Sequence, residues 1–500
     1  MKTRTIFILT AICLLFTASY AVGKINDENI TRWITNTFIE DEGVSGYWID
    51  VQTKNGIVTL SGRTDNILAK ERAVRIAETV KGVRSVVDNI QVDAPMRKDA
   101  EIRSDVMAAL LGDPATDSWE IQASVKDGVV TLTGTVDSWQ EKQLAAKVAK
   151  KVRSVKDLKN FIDVEYRTER SDLEIREEVE RMLEWDMLID DALVDVKVIN
   201  DKVFISGTVG SAAEKSEVIL DAWVAGAKSV EASDLDVASW ARDRRFRKDK
   251  YVLKKDSEIT DAAEDAMFYD PRVNSFDVHV SAEDGVVSLS GIVDNLKAKR
   301  AAEKDARNTV GVWDVRNYIL VRPDMPSDET IEKNVKKALK RDPYVEKDEI
   351  TVSVINNIVY LSGIVDSYFE KAQADDVASL VYGVVDVKNN LEINDDRIVP
   401  YYDPYLYDWY AYDWYNYPVP VPALSDWEIK KEIEDELWWS PYVDEDQVTV
   451  TVDDGVATLT GTVDTMNERK AARNNAFEGG AVAVDNDLKV KYGPAYYRAS

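Results

Sequence analysis

DGVVTLTGTVD, residues Asp127–Asp137, joins a turn dipeptide, an alternating apolar run, a glycine and an aspartate. Near-copies stand at NGIVTLSGRTD (55–65), DGVVSLSGIVD (284–294) and DGVATLTGTVD (454–464). Asp127-Gly128 accepts positive φ at both positions, which a two-residue hairpin turn requires. Its equivalents are Asn55-Gly56, Asn200-Asp201, Asp284-Gly285, Asn356-Asn357 and Asp454-Gly455. In all six the second turn residue lies six places before the repeated glycine, so the hairpin register is fixed.

Those glycines are Gly62, Gly134, Gly207, Gly291, Gly363 and Gly461, at intervals of 72, 73, 84, 72 and 98. A period near 72 with two insertions points to tandem small domains, because solenoid repeats are shorter. Each unit opens on a helical pattern. SDETIEKNVKKALKRDP puts Ile331, Val335, Ala338 and Leu339 on one face, and Pro343 follows its end. Ser171 with Glu174 and Ser425 with Glu428 form capping boxes in the equivalent helices. An alternating strand follows, with Val448, Val450 and Val452 facing in and Thr449 and Thr451 facing out.

Four residues after the glycine stand Asn66, Ser138, Ser211, Asn295, Ser367 and Thr465, all good N-cap types. Glu141, Glu214, Glu370 and Glu468 follow three places later, a second capping box. A helix therefore starts there, and a strand such as VRNYILV or VKNNLEI closes the unit. The order is α-β-β-α-β, an α+β fold repeated six times. The glycine is expected at the end of the second strand, suiting a bulge or a close helix approach. The aspartate three places on (Asp65, Asp137, Asp294, Asp366, Asp464) favours the positive helix end. Gly210 replaces it in the third unit, which argues against a shared reaction built on that aspartate.

A unit of this length and order, carrying LSGRTD, LTGTVD, ISGTVG, LSGIVD twice and LTGTVD again, resembles the BON domain (bacterial OsmY and nodulation) family. The resemblance implies a small mixed sheet with two helices on one face in each unit. It implies no catalysis and no cofactor, with roles in the periplasm, in phospholipid association, in osmotic or envelope stress, or in holding unfolded exported proteins. The units fall at 25–94, 98–166, 170–238, 255–323, 326–394 and 424–492. A basic linker spans 239–254 and a Tyr/Trp/Pro-rich linker spans 395–423.

Residues 1–21, with Lys2 and Arg4 before an apolar run and Ser19-Tyr20-Ala21 at its end, are read as a secretory signal peptide cleaved after Ala21, the alternative being an N-terminal membrane anchor for which the apolar run is short. Cys13 lies inside it, so the mature chain has no cysteine for disulfides, thiolate chemistry or metal ligation. Export to the periplasm is expected, with secretion the second choice, and no transmembrane segment follows. The net charge of −28 disfavours nucleic acid. The single histidine, His279, alternates with Val278 and Val280 and should face outward from a strand. No phosphate loop or dinucleotide fingerprint occurs.

Functional contacts are therefore sought in the two inserts. The first concentrates Arg244, Arg245, Arg247, Lys248 and Lys250 around Phe246 in an otherwise acidic chain. It suits anionic head groups, another polyanion, or an acidic face of neighbouring domains. The second carries a five-residue Tyr/Asp repeat with Tyr407, Trp409, Tyr412 and Trp414 as candidate interface aromatics. Its rings suit a membrane interface, a cell-wall surface or the adjacent domains. Asp403, Asp408 and Asp413 have nothing to make them converge on calcium. Two readings result: a non-catalytic protein associating with phospholipid or envelope surfaces, and a holdase-like chaperone or scaffold for exported polypeptides.

Overall fold

The computed structural model describes residues 25–491 except 42, 45–47, 114–115, 117–120, 167–168, 243–253, 274–276, 323–325, 346–349, 367, 394–424, 441, 454 and 482. The first repeat runs α1 (Asp27–Glu40), β1 (Ile49–Lys54), β2 (Ile57–Thr64), α2 (Ile67–Thr79) and β3 (Ser85–Val92). The second has α3 (Asp99–Gly112), β4 (Ile121–Lys126), β5 (Val129–Val136), α4 (Trp139–Lys150) and β6 (Asp157–Val164). In the third stand α5 (Asp172–Trp185), β7 (Val194–Ile199), β8 (Lys202–Val209), α6 (Ala212–Asp221) and β9 (Ser229–Val237).

The fourth has α7 (Asp256–Tyr269), β10 (Val278–Glu283), β11 (Val286–Val293), α8 (Leu296–Asn308) and a third strand split into β12 (Asp314–Asn317) and β13 (Leu320–Val321). The fifth contains α9 (Asp328–Arg341), β14 (Ile350–Ile355), β15 (Ile358–Val365), α10 (Tyr368–Ser379) and β16 (Asp386–Ile393). The sixth contains α11 (Asp426–Trp439), β17 (Val448–Asp453), β18 (Val456–Val463), α12 (Met466–Glu478) and β19 (Ala483–Val490).

In every repeat the central strand pairs antiparallel with its hairpin partner and parallel with the strand after the crossover helix. That helix supplies the long connection a parallel pair needs. Both helices cover one sheet face. In the fifth repeat Ile331, Val335 and Leu339 of α9 meet Ala374, Val377 and Ala378 of α10 over Val359 and Leu361 of β15. Thr449 and Thr451 of β17 are exposed while Val450 is buried, as strand alternation requires.

The repeats are packed together through their second helices. Ile67, the first residue of α2, is buried in the core of the second repeat. Trp139, first in α4, stacks on Trp223 of the third repeat at 4.8 Å and 6°. Ala212, first in α6, is buried in the core of the first. The same step therefore closes a ring of three. Leu296, first in α8, enters the fifth repeat's core in the same way.

A second contact links this ring to the remaining repeats. Lys81 N–H donates to the Trp439 carbonyl at 3.3 Å, Arg153 N–H to Arg341 at 2.6 Å, and Val310 N–H to Trp185 at 2.9 Å. Each donor follows its repeat's glycine by 19 residues, and each acceptor is the last residue of a first helix. The first, second and third repeats thus face the sixth, fifth and fourth, giving two layers of three.

Candidate functional site

The repeated motif is spent on architecture. Gly62, Gly207, Gly291 and Gly461 have φ of +121°, +121°, +132° and +138°. A Cβ there would lie 2.0–2.1 Å from the carbonyl oxygens of Trp48, Leu193, Asp277 and Gln447. The glycine sits within the central strand, paired with the first residue of its hairpin partner, as Gly62 is with Ile49. The expected close approach is thus real, but its partner is the neighbouring strand's backbone instead of a helix.

The caps follow the same logic. Asn66, Ser138, Ser211, Asn295 and Thr465 accept the N–H three residues on, while Ser367 lies outside the described residues. The glutamates reach one residue further back than a capping box does. Glu141, Glu214, Glu370 and Glu468 accept the N–H of Asp137, Gly210, Asp366 and Asp464 at 2.8–3.3 Å. The bond uses backbone, so glycine at 210 serves as well as aspartate.

One recurrent group was not anticipated from the sequence. The carboxylates of Asp27, Asp99, Asp172, Asp256 and Asp328, each the first residue of its repeat's first helix, accept both N–H groups of the hairpin turn at 2.7–3.0 Å. Asp426 accepts Gly455 N–H at 2.8 Å. The signal was present as an aspartate 28 residues before every turn.

The candidate contact residues Arg244, Arg245, Phe246, Arg247, Lys248 and Lys250, and Tyr407, Trp409, Tyr412 and Trp414, lie outside the described residues. Lys254, at the close of the basic stretch, is described. Its Nζ pairs with Glu184 at 2.9 Å and stands 4.6 Å over the Trp185 ring, an intramolecular contact. His279 is exposed on β10. Among the described residues no group of three or more His, Cys, Asp or Glu is placed to hold a metal ion. No described helix is long and apolar enough to cross a membrane.

Chemistry that departs from ordinary surface behaviour lies between repeats. Lys297 of the fourth repeat donates to both carboxylate oxygens of Asp113 in the second, at 2.7 and 2.9 Å, with both side chains buried. Lys151 pairs with Asp376 at 2.8 Å, and Arg300 with Asp375 at 3.2 Å. Burial pushes Asp342 up to about 6, although Gln373 and Tyr344 N–H donate to it. Burial likewise raises Asp375 to about 6 against the pull of Arg300.

A cleft of about 110 Å³ opens between α5 and α6 of the third repeat and α7 and α8 of the fourth, with Gln140 of α4 on its wall. Arg272 forms a bidentate pair with Asp270 beside it. Burial, and then the Asp270 carboxylate, hold Asp305 well above the usual carboxylate range, outweighing Arg272 and Lys304. Burial pushes the Tyr269 hydroxyl up to about 12, helped by its hydrogen bond to Glu178.

Hairpin, crossover helix and glycine together define an architectural α-β-β-α-β repeat, and comparison with known families agrees. The BON domain matches six times, over residues 26–94, 98–166, 171–239, 255–323, 327–395 and 425–492. The chain belongs to the BON domain family. It is 35% identical over 147 residues to Osmotically-inducible protein Y of Escherichia coli (strain K12), covering 28% of this chain and 73% of that protein. It is 26% identical over 139 residues to the Outer membrane lipoprotein DolP of Haemophilus influenzae, covering 27% of this chain and 72% of that protein. Among solved structures, CdsD, a structural protein of the Type III secretion system of Chlamydia trachomatis, aligns at 15% identity over 47% of this chain and 97% of its own, with a TM-score of 0.13 that supports no further reading.

Proposed function

We propose that this is a non-catalytic, exported envelope protein whose six BON domains form a scaffold that associates with phospholipid or other envelope surfaces under osmotic or envelope stress. Support comes from family membership along most of the chain. It comes also from relatives whose names place them in osmotic induction and at the outer membrane. The observation that carries the reading is that the repeat motif and the second helices are used up inside the molecule. What is left for a partner is the outward sheet faces and the two inserts, with the basic stretch Arg244–Lys250 as the contact for anionic head groups.

Co-sedimentation of the mature chain with anionic and neutral vesicles, at low and high salt, tests it. Binding confined to anionic vesicles and weakened by salt is expected. It should fall when Arg244, Arg245, Arg247 and Lys248 are changed together to Ala. Absence of binding to either vesicle removes the phospholipid reading. Undiminished binding of the fourfold variant removes the basic insert from it.

A further inference from the structure

We propose that the cleft between the third and fourth repeats binds a small organic ammonium ion, held by the Asp305 carboxylate and the aromatic side chains of Trp185, Trp223 and Tyr269. The proposal is independent of envelope association. The cleft exists only because α5 and α6 are apposed to α7 and α8, so it belongs to the assembled molecule and to no single repeat.

Its lining is unlike a packed interface. Six carboxylates (Asp186, Glu217, Asp221, Asp265, Asp270, Asp305) face three cationic side chains (Arg181, Arg272, Lys304), an excess of negative charge in a partly enclosed space. Arg181 is engaged by Glu178 and Asp265, and Arg272 by Asp270. Asp305 is served poorly. Its Oδ2 is buried and has no hydrogen-bond partner, and its Oδ1 lies 3.9 Å from Arg272 Nη2. A carboxylate without a close cationic partner, set beside a second carboxylate, makes this part of the cleft electronegative, and a bound cation offsets that charge.

The class of cation follows from what accompanies the carboxylates. They do not converge as metal ligands do, since no described group of three or more acidic side chains is placed to hold an ion. Three aromatic side chains line the same space, and ring faces favour a diffuse organic cation. The chain supplies its own example at the cleft's edge, where the Lys254 ammonium stands 4.6 Å over Trp185. A volume of about 110 Å³ suits a group of choline's size.

A linked proton gives the proposal a signature. Asp305 is faced by Lys304 on its own helix and by Asp270 and Arg272 after α7. Asp265 of α7, Glu217 and Asp221 of α6, Arg181 of α5 and Asp186 just after it complete the charged lining. Burial and the Asp270 carboxylate shift Asp305 toward its protonated form. An ammonium ion beside the carboxylate competes with that proton, so cation binding and proton release are linked.

The test is calorimetric titration of the full mature chain with choline chloride. Its uncharged isostere 3,3-dimethyl-1-butanol and sodium chloride at equal ionic strength serve as controls. We expect saturable 1:1 binding of choline alone, tighter at pH 7.5 than at pH 5.5. The heat should vary with the ionisation enthalpy of the buffer, as release of a proton requires. Asp305→Asn should weaken choline binding about tenfold or more and abolish the buffer dependence. The buffer dependence in the unaltered protein stands as a measurement that needs no variant. The proposal is overturned by no saturable heat, by equal binding of the isostere, or by unchanged binding in Asp305→Asn.

Discussion

Gly207 shows what one residue position demands of the chain. Its φ of +121° is reached readily only without a Cβ, and a Cβ there would stand 2.0 Å from the Leu193 carbonyl oxygen. Gly207→Ala is therefore expected to cost roughly 2–4 kcal/mol within the third repeat, since backbone on both strands must shift. Thr208→Ala, at the next position, should change stability by no more than about 0.5 kcal/mol. Amide hydrogen exchange of β7 and β8 reads both, because a chain of six domains need not unfold in one step. The sequence made this glycine legible as structural through its fixed distance from the turn. Which atom it makes room for was not legible, because the Leu193 carbonyl becomes its neighbour only once the hairpin has closed.

At the scale of elements, a single carboxylate ties the start of a helix to a hairpin. Asp172 accepts from Asn200 N–H and Asp201 N–H, both at 2.9 Å, while standing in the first turn of α5. Both turn residues hold positive φ (51° and 62°), which aims their amides the same way. Loss of two charge-assisted bonds and of a favourable charge at a helix N-terminus should cost about 2–3 kcal/mol in Asp172→Ala. Selective loss of exchange protection at Asn200 and Asp201 would locate the effect. Unchanged protection there would show that the clamp contributes nothing. Turns, caps and helices were each readable from local residue types, because local rules govern them. The clamp was not, since it joins residues from two elements and looks in the sequence like one more acid among 91 carboxylates.

Across the whole molecule the missing information is of the same kind, enlarged. Asp113, Asp270 and Asp342 each follow a first helix and read as solvated acids, yet all three are buried. Lys297 reads as a surface cation on α8 and is instead 4% exposed, paired with Asp113 of another repeat. Removing one member of such a pair strands the other, so Lys297→Ala should cost about 3–5 kcal/mol and loosen the two layers. Its mark would be a larger radius of gyration in solution scattering with each repeat still folded.

The same interface sets a pH dependence whose sign follows from burial. Asp342 and Asp375 titrate at about 6 in the folded chain, above the 3.8 of an unperturbed aspartate. Between these values the folded state binds more protons than the unfolded state, so stability falls as pH rises through the window and is flat above it. Each group contributes on the order of 2–3 kcal/mol across the full window. Lowering the pH from 7.5 to 5 should therefore raise the melting temperature, the reverse of ordinary acid denaturation. The first-helix capping glutamates Glu174, Glu258 and Glu428, whose hydrogen bonds hold their carboxyls below the usual range, oppose this only near and below their own titration. Asp375→Asn should flatten the slope, because amide and protonated acid make nearly the same contacts with no charge to bury. A melting temperature that falls on acidification from 7.5 to 5 in the unaltered protein would mean that these interfaces open before the aspartates titrate.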